Sequence, residues 1–221
     1  MIKLTVDGKV IEAEGGKSLL QVCLDNDIYI PNLCFLEEMA NPPASCRLCF
    51  VEIEGEPRPV TSCKVRVKEG MVVRTDTEPV RELQRAVFNL LFSAHHMDCK
   101  NCLSRKTCQL QRIAKFLGIR LKARKLEELG RDLTVQPEHP FFELLPARCI
   151  LCHKCLYVCR KRNESPVLTI VRRGFDSAIG CYEGIDSGNL PCGECGACVE
   201  VCPVSAIVPK KEELKEAAPG I

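Results

Sequence analysis

Tryptophan is absent from this sequence, tyrosine occurs three times, and aromatic residues make up 5% of it. Large rings bury the most apolar area per residue, so a chain of 221 residues this poor in them must draw part of its cohesion from elsewhere. An excess of one charge is missing too, since 31 basic residues stand against 29 acidic ones and the formal net charge is +2. That balance excludes the strong positive field by which proteins engage nucleic acid or anionic membrane. No apolar run approaches the roughly 20 residues that cross a bilayer, which excludes direct membrane insertion. Gly-x-Gly-x-x-Gly does not occur, and Gly16-Lys17-Ser18 is no phosphate loop because Ile11 stands where that motif needs its first glycine. Met1 leads into a strand-like segment without a charged and apolar leader, so export is not expected.

Cysteine is what the chain has in excess, at seventeen residues. In a protein that is not exported such a count points to thiolate-bound metal in a reducing cytoplasm, not to disulfides. The densest stretch holds Cys149-x2-Cys152-x2-Cys155-x3-Cys159 and, after 32 residues, Cys192-x2-Cys195-x2-Cys198-x3-Cys202-Pro203. This is the bacterial double-cluster ferredoxin spacing, in which three thiolates of each run bind one 4Fe-4S cube and the fourth crosses to the other. Cys149, Cys152, Cys155 and Cys202 are therefore expected on one cube, and Cys192, Cys195, Cys198 and Cys159 on its neighbour. Small residues at Gly193, Gly196 and Ala197 suit close approach of backbone N–H groups to sulfur. Structural zinc is the alternative for paired Cys-x2-Cys units, but a doubled four-cysteine run exceeds what a tetrahedral ion needs.

Upstream, residues 2 to 14 alternate around Asp7-Gly8 and read as a β-hairpin. Ser18 with Gln21 three residues on fits a capping box that opens a short helix through Leu19, Leu20, Val22 and Cys23. Then comes Cys34-x11-Cys46-x2-Cys49-x13-Cys63. Four thiolates with one close pair suit a 2Fe-2S cluster at the edge of a sheet whose further strands are read at Cys49 to Glu54 and Val72 to Arg74. The spacing differs from the plant type. It resembles instead the N-terminal cluster domain shared by the large iron-sulfur subunit of respiratory complex I, iron-only hydrogenases and the small diaphorase iron-sulfur subunit of NAD-linked hydrogenases.

Pro79 sits near the start of a helix whose apolar residues Val80, Leu83, Val87, Leu90, Leu91 and Ala94 recur at helical spacing. It ends at His95-x3-Cys99-x2-Cys102-x5-Cys108. That run matches the same families' signature for a 4Fe-4S cube held by three cysteines and one histidine. The resemblance implies His95 as the ligand and leaves His96 as a surface neighbour. A neutral imidazole in place of a thiolate makes a cluster less negative and raises its potential, as in Rieske centres, and it admits coupling to a proton. A helix over 109–117 follows, with Leu110, Ile113, Ala114 and Leu117 inward and Gly118 as its cap.

The resulting expectation is an α+β chain. It comprises a β-grasp 2Fe-2S ferredoxin-like domain (1–78), a small helical His/Cys3 4Fe-4S domain (79–118), a linker (119–147), a bacterial-type double 4Fe-4S ferredoxin domain (148–209) and a charged tail (210–221). The linker carries a mixed-charge run over 122–129 and Pro137, Pro140 and Pro146, with Phe141 and Phe142 either anchoring it to the ferredoxin module or facing another subunit. Arg172 to Asp176 resembles an insertion of the hydrogenase and complex I families. One 2Fe-2S and three 4Fe-4S clusters use fifteen cysteines and His95. Cys23, among apolar neighbours, reads as a buried core residue, and Cys181 reads as a free thiol or an extra ligand. The resemblance implies a cytoplasmic electron-transfer subunit with no catalytic residues of its own. Its hetero-oligomeric partners would be a flavin- and NAD-binding subunit and a hydrogenase, formate dehydrogenase or other dehydrogenase catalytic subunit, including bifurcating hydrogenases. A catalytic domain of its own is not expected, since those of the relatives would begin where this chain ends. The alternative is a freely diffusing multi-cluster carrier.

Overall fold

The structure is a computed structural model that describes residues 1–121, 139–182 and 192–210. The chain forms two compact units, one from 1–92 and 113–121, the other from 93–112 and 122–221. The mixed-charge run, Pro137 and the tail beyond residue 210 lie outside the described residues.

The first unit begins with β1 (Ile2–Val6) and β2 (Lys9–Ala13), paired antiparallel. Asp7 and Gly8 both take positive φ (49° and 80°), the geometry of the tight hairpin turn that an Asp-Gly pair favours. Helix α1 (Leu19–Asp25) starts where Ser18 Oγ accepts the Gln21 N–H at 3.2 Å. Only half of the capping box forms, because the Gln21 amide donates to the Asp25 carboxylate instead. Strands β3 (Phe50–Ile53), β4 (Val60–Thr61) and β5 (Val72–Arg74) complete a five-stranded sheet of order β2-β1-β5-β3-β4, with β1 and β5 parallel. Leu4, Val6, Leu19, Leu20, Val51 and Val73 form its core between sheet and helix. Each such buried side chain contributes about 1.5–3 kcal/mol.

Helix α2 (Glu78–Ser93) buries Val80, Gln84 and Phe88, one residue per turn along a single line. The apolar stripe read from the sequence is thus corrected: Leu83 and Leu90 are exposed, and Gln84 enters the interior because its amide donates to the Phe50 carbonyl at 3.3 Å. Helix α3 (Gln109–Leu117) buries Leu110, Ile113, Ala114 and Leu117 and stops at Gly118, φ 67°. Arg81 lies 4.1 Å over the Phe116 ring, which also meets Tyr29 edge-on.

In the second unit β6 (Phe142–Leu144) pairs antiparallel with β9 (Ile207–Pro209). Between them run α4 (Lys154–Arg162), the hairpin of β7 (Leu168–Val171) and β8 (Ala178–Cys181), and the single turns α5 (Cys192–Cys195) and α6 (Ala197–Glu200). Phe142, Leu156, Val167, Leu168, Ile179 and Ile207 pack together with Cys155 and Cys159. The core of this unit is therefore partly made of thiols. Among the described residues no helix is long and apolar enough to cross a membrane.

Candidate iron-sulfur sites

The first site lies in the loop between α1 and β3 and in the short 3-10 helix Ser62–Lys64 after β4. Cys34, Cys46, Cys49 and Cys63 are all buried, and Cys34 Sγ lies 3.4 Å from Cys46 Sγ. The Cys46 contact lowers the Cys34 thiol to about 6, and the Cys49 contact lowers Cys63, while Cys46 and Cys49 are pushed up. Four buried thiols that sense one another suit a group that takes up several thiolates at once. The loop is fastened from outside. Ser62 donates twice to the Cys49 carbonyl, through N–H at 2.8 Å and Oγ at 2.9 Å, and Arg66 donates to the carbonyls of Gly16 and Ala40.

The second site follows α2. Cys108 senses the charges of Cys102 and Cys99, and His95 has Nδ1 at 2.8 Å from the Arg148 carbonyl oxygen. A carbonyl can only accept, so Nδ1 carries the hydrogen and Nε2 presents a bare lone pair. This is the second-shell arrangement that fixes the tautomer of a metal-binding histidine. Burial lowers the pKa of His95 and keeps the ring neutral. His96 is exposed, and it is its backbone N–H that is used, donating to the Ala147 carbonyl at 2.7 Å.

Eight of the ten remaining cysteines divide between two cavities. Cys149, Cys152, Cys155 and Cys202 line one, with Leu144, Ile150 and Val204. Cys159, Cys192, Cys195 and Cys198 line the other, with Phe142 and Leu168. Each cavity thus takes three thiols from one run and one from the other. Helix α4 does this by carrying Cys155 and Cys159 on consecutive turns, and β9 by folding the chain after Cys202 back onto β6.

Backbone N–H groups point at the sulfurs, from Leu151 to Cys149 (3.4 Å), Val167 to Cys159 (3.2 Å) and Ala206 to Cys202 (3.1 Å). To aim them, Leu151, His153, Ser205 and, in the first site, Arg47 take left-handed conformations. Such a φ costs a non-glycine residue about 1–2 kcal/mol and is retained where a site needs inward-facing amides. Gly193 is glycine for a different reason: a Cβ there would meet the Phe141 ring at 3.0 Å. Burial pushes Cys152 and Cys198 up to about 12 and Cys192 to about 11, with Cys155 raised further. Their protons leave only when a metal displaces them. Among the described residues no three His, Cys, Asp or Glu side chains converge on a single ion; the thiols ring volumes instead of a point.

Residues 1–78 match the family of 2Fe-2S iron-sulfur cluster binding domains. Residues 84–122 match the NADH-ubiquinone oxidoreductase-G iron-sulfur binding region. The chain resembles iron-sulfur subunits of NAD(P)-linked hydrogenases and NADH oxidoreductases. Among these, the NADP-reducing hydrogenase subunit HndD of Solidesulfovibrio fructosivorans is 33% identical over 94% of this iron-sulfur chain and 36% of its own length. The alpha subunit of the NADPH-Fe(3+) oxidoreductase of Geobacter sulfurreducens is 34% identical over 95% of the chain and 24% of its own. A crystal structure of an NAD+-reducing [NiFe]-hydrogenase in the H2-reduced state contains a chain that superposes with a TM-score of 0.81 at 29% identity, covering 99% of this chain and 90% of that one. This iron-sulfur chain thus spans 24% to 36% of the length of these two curated relatives.

The hairpin β7–β8 and the strand pair β6–β9, which close the two cavities, were not read from the sequence. Val167, whose N–H reaches Cys159, carries no sequence signal for that role.

Proposed function

We propose that the chain is a non-catalytic electron-transfer subunit holding one 2Fe-2S and three 4Fe-4S clusters in a β-grasp domain, a His/Cys3 domain and a double ferredoxin domain. The observation that carries this reading is the sorting of eight cysteines into two cavities in the crossed three-plus-one pattern. When bound, the clusters supply one-electron chemistry. The protein's part is to hold them by Cys34, Cys46, Cys49 and Cys63, by His95, Cys99, Cys102 and Cys108, and by the two crossed sets. It also aims N–H dipoles at sulfur, which stabilises the reduced, more negative state.

Hydrogen bonds support a route between the sites. The His95 ring donates to the carbonyl of Arg148, the residue before Cys149. The N–H of Gln109, the residue after Cys108, donates to the carbonyl of Pro203, the residue after Cys202, at 3.2 Å. Both bonds lead from the His95 site to the Cys149 cavity, so the chain would pass electrons between the His95 site and the Cys149 cavity before the Cys159 cavity. The relatives' names, an NADP-reducing hydrogenase and an NADPH-Fe(3+) oxidoreductase, support an NAD(P)-linked assembly; the outer ends of the route would be an NAD(H)-reactive flavoprotein subunit and a hydrogenase or dehydrogenase catalytic subunit, in the cytoplasm.

Anaerobic purification of the tagged chain from its own host, followed by gel filtration and mass spectrometry, tests this. Co-elution of a flavoprotein and a hydrogenase or dehydrogenase subunit is the expected result. A brown monomer without partners would instead make the chain a free carrier, and a colourless product containing zinc would overturn the cluster assignment itself.

A further inference from the structure

Helix α4 ends at Asn163, one turn after the thiol that crosses between the two cysteine runs. The backbone there is extended, φ −126° and ψ 132°, so the left-handed turn that often selects asparagine at a helix end is not the reason for it. The Asn163 N–H donates to the Cys159 carbonyl at 3.1 Å and continues the helical ladder. The side chain then donates to that same carbonyl from Nδ2, also at 3.1 Å. A carbonyl only accepts, so the nitrogen of the amide, not its oxygen, faces this way. An amide nitrogen carries two hydrogens, and Cys159 Sγ lies 4.0 Å from the same Nδ2. That sulfur also accepts the Val167 N–H at 3.2 Å. Asn163 lines the cavity together with Cys159, Cys192, Cys195 and Cys198.

Resting on the cluster assignment above, we propose that Asn163 is a positioning residue of this site, a side-chain donor to the Cys159 sulfur that raises the reduction potential of the cluster bound there. A thiolate on iron is negative where the thiol is neutral, and hydrogen bonds to charged acceptors are shorter and stronger. The carbonyl holds the amide at the distance from which it closes on a charged sulfur. The bond tightens further when an electron makes the cluster more negative, so it favours the reduced state. The donors at Leu151, Val167 and Ala206 are backbone groups that almost any residue type would supply. Asn163 acts through its side chain, and a substitution can remove it.

The test is an EPR-monitored redox titration of the anaerobically purified full chain, wild type against Asn163→Ala, Asn163→Gln and Asn163→Asp, with iron and sulfide per chain measured alongside. In Asn163→Ala one 4Fe-4S couple should become about tenfold harder to reduce, a fall of about 59 mV. The other cubes and the 2Fe-2S cluster should keep their potentials and serve as internal references. Asn163→Gln, whose amide still donates, should fall by less. An unmoved potential in Asn163→Ala with its iron retained would leave the amide a helix cap and overturn the inference, as would equal shifts of every couple. Should Asn163→Ala shed its cube, Asn163→Asp decides, because it keeps the side-chain shape and loses the donor. Its couple should fall further than in Ser165→Asp, which adds the same charge two residues on, and an equal fall would overturn the inference. A wild type without 4Fe-4S signals would sink the underlying assignment instead.

Discussion

Replacing His95 by cysteine is the sharpest probe of the His95 site, because it exchanges a neutral ligand for an anionic one. The ring is neutral by burial, and its Nδ1–H is committed to the Arg148 carbonyl at 2.8 Å. A thiolate at Nε2's place adds one negative charge about 4 Å from the centre of the cluster. At the effective dielectric constant of about 20 that suits a partly buried site, this is worth about 4 kcal/mol. For a one-electron couple, tenfold in equilibrium corresponds to about 59 mV, so the potential should fall by about 170 mV. The assay is an EPR-monitored redox titration of the anaerobically purified variant, with His96→Ala as the control, since that side chain is exposed and should leave the potential where it was. A fall of less than about 50 mV, or a rise, would remove His95 from the ligand set.

Phe88→Ala should destabilise the first unit by about 3–5 kcal/mol, because the ring is fully buried and stacks on Phe92 with centroids 5.8 Å apart; thermal unfolding followed by the loss of 2Fe-2S absorbance measures it. His139 is 5% exposed, stacked on Phe142 at 3.7 Å, and burial with the nearby Lys210 charge lowers its pKa from 6.5 to about 4. The unfolded chain therefore binds more protons between those values, and stability falls as pH drops from 6.5 towards 4, by up to about 2 kcal/mol at pH 5. His139→Phe should keep the stacking and lose that slope, which unfolding temperatures at pH 7 and pH 5 would show.

Cysteine spacing picked out the eight residues that line the two cavities, because a cluster would fix how many residues a loop needs between sulfurs. The hairpin turn at Asp7-Gly8 and the cap at Gly118 were equally plain, each resting on a glycine at positive φ. Helix α2 misled because a polar residue, Gln84, holds a core position that only the distant Phe50 carbonyl explains. Strands β6 and β9 are three residues each and some sixty residues apart in sequence, too short for a period-two pattern to emerge. The left-handed residues Leu151 and His153 carried no warning, since neither is the glycine or asparagine that normally marks such a turn.

The chain crosses between its compact units at residues 92, 112 and 121, leaving 93–112 with the second unit and 113–121 with the first. The stretch that resembles a relative's cluster-binding region, 84–122, therefore straddles both. Heredity and folding divide this molecule in different places. A recombination event that imported a new N-terminal third at a single junction would orphan half of α3 whichever side of His95 it fell on. Swaps that keep both units whole must carry two segments at once, so the pieces that bracket the His95 site are bound to change together or not at all.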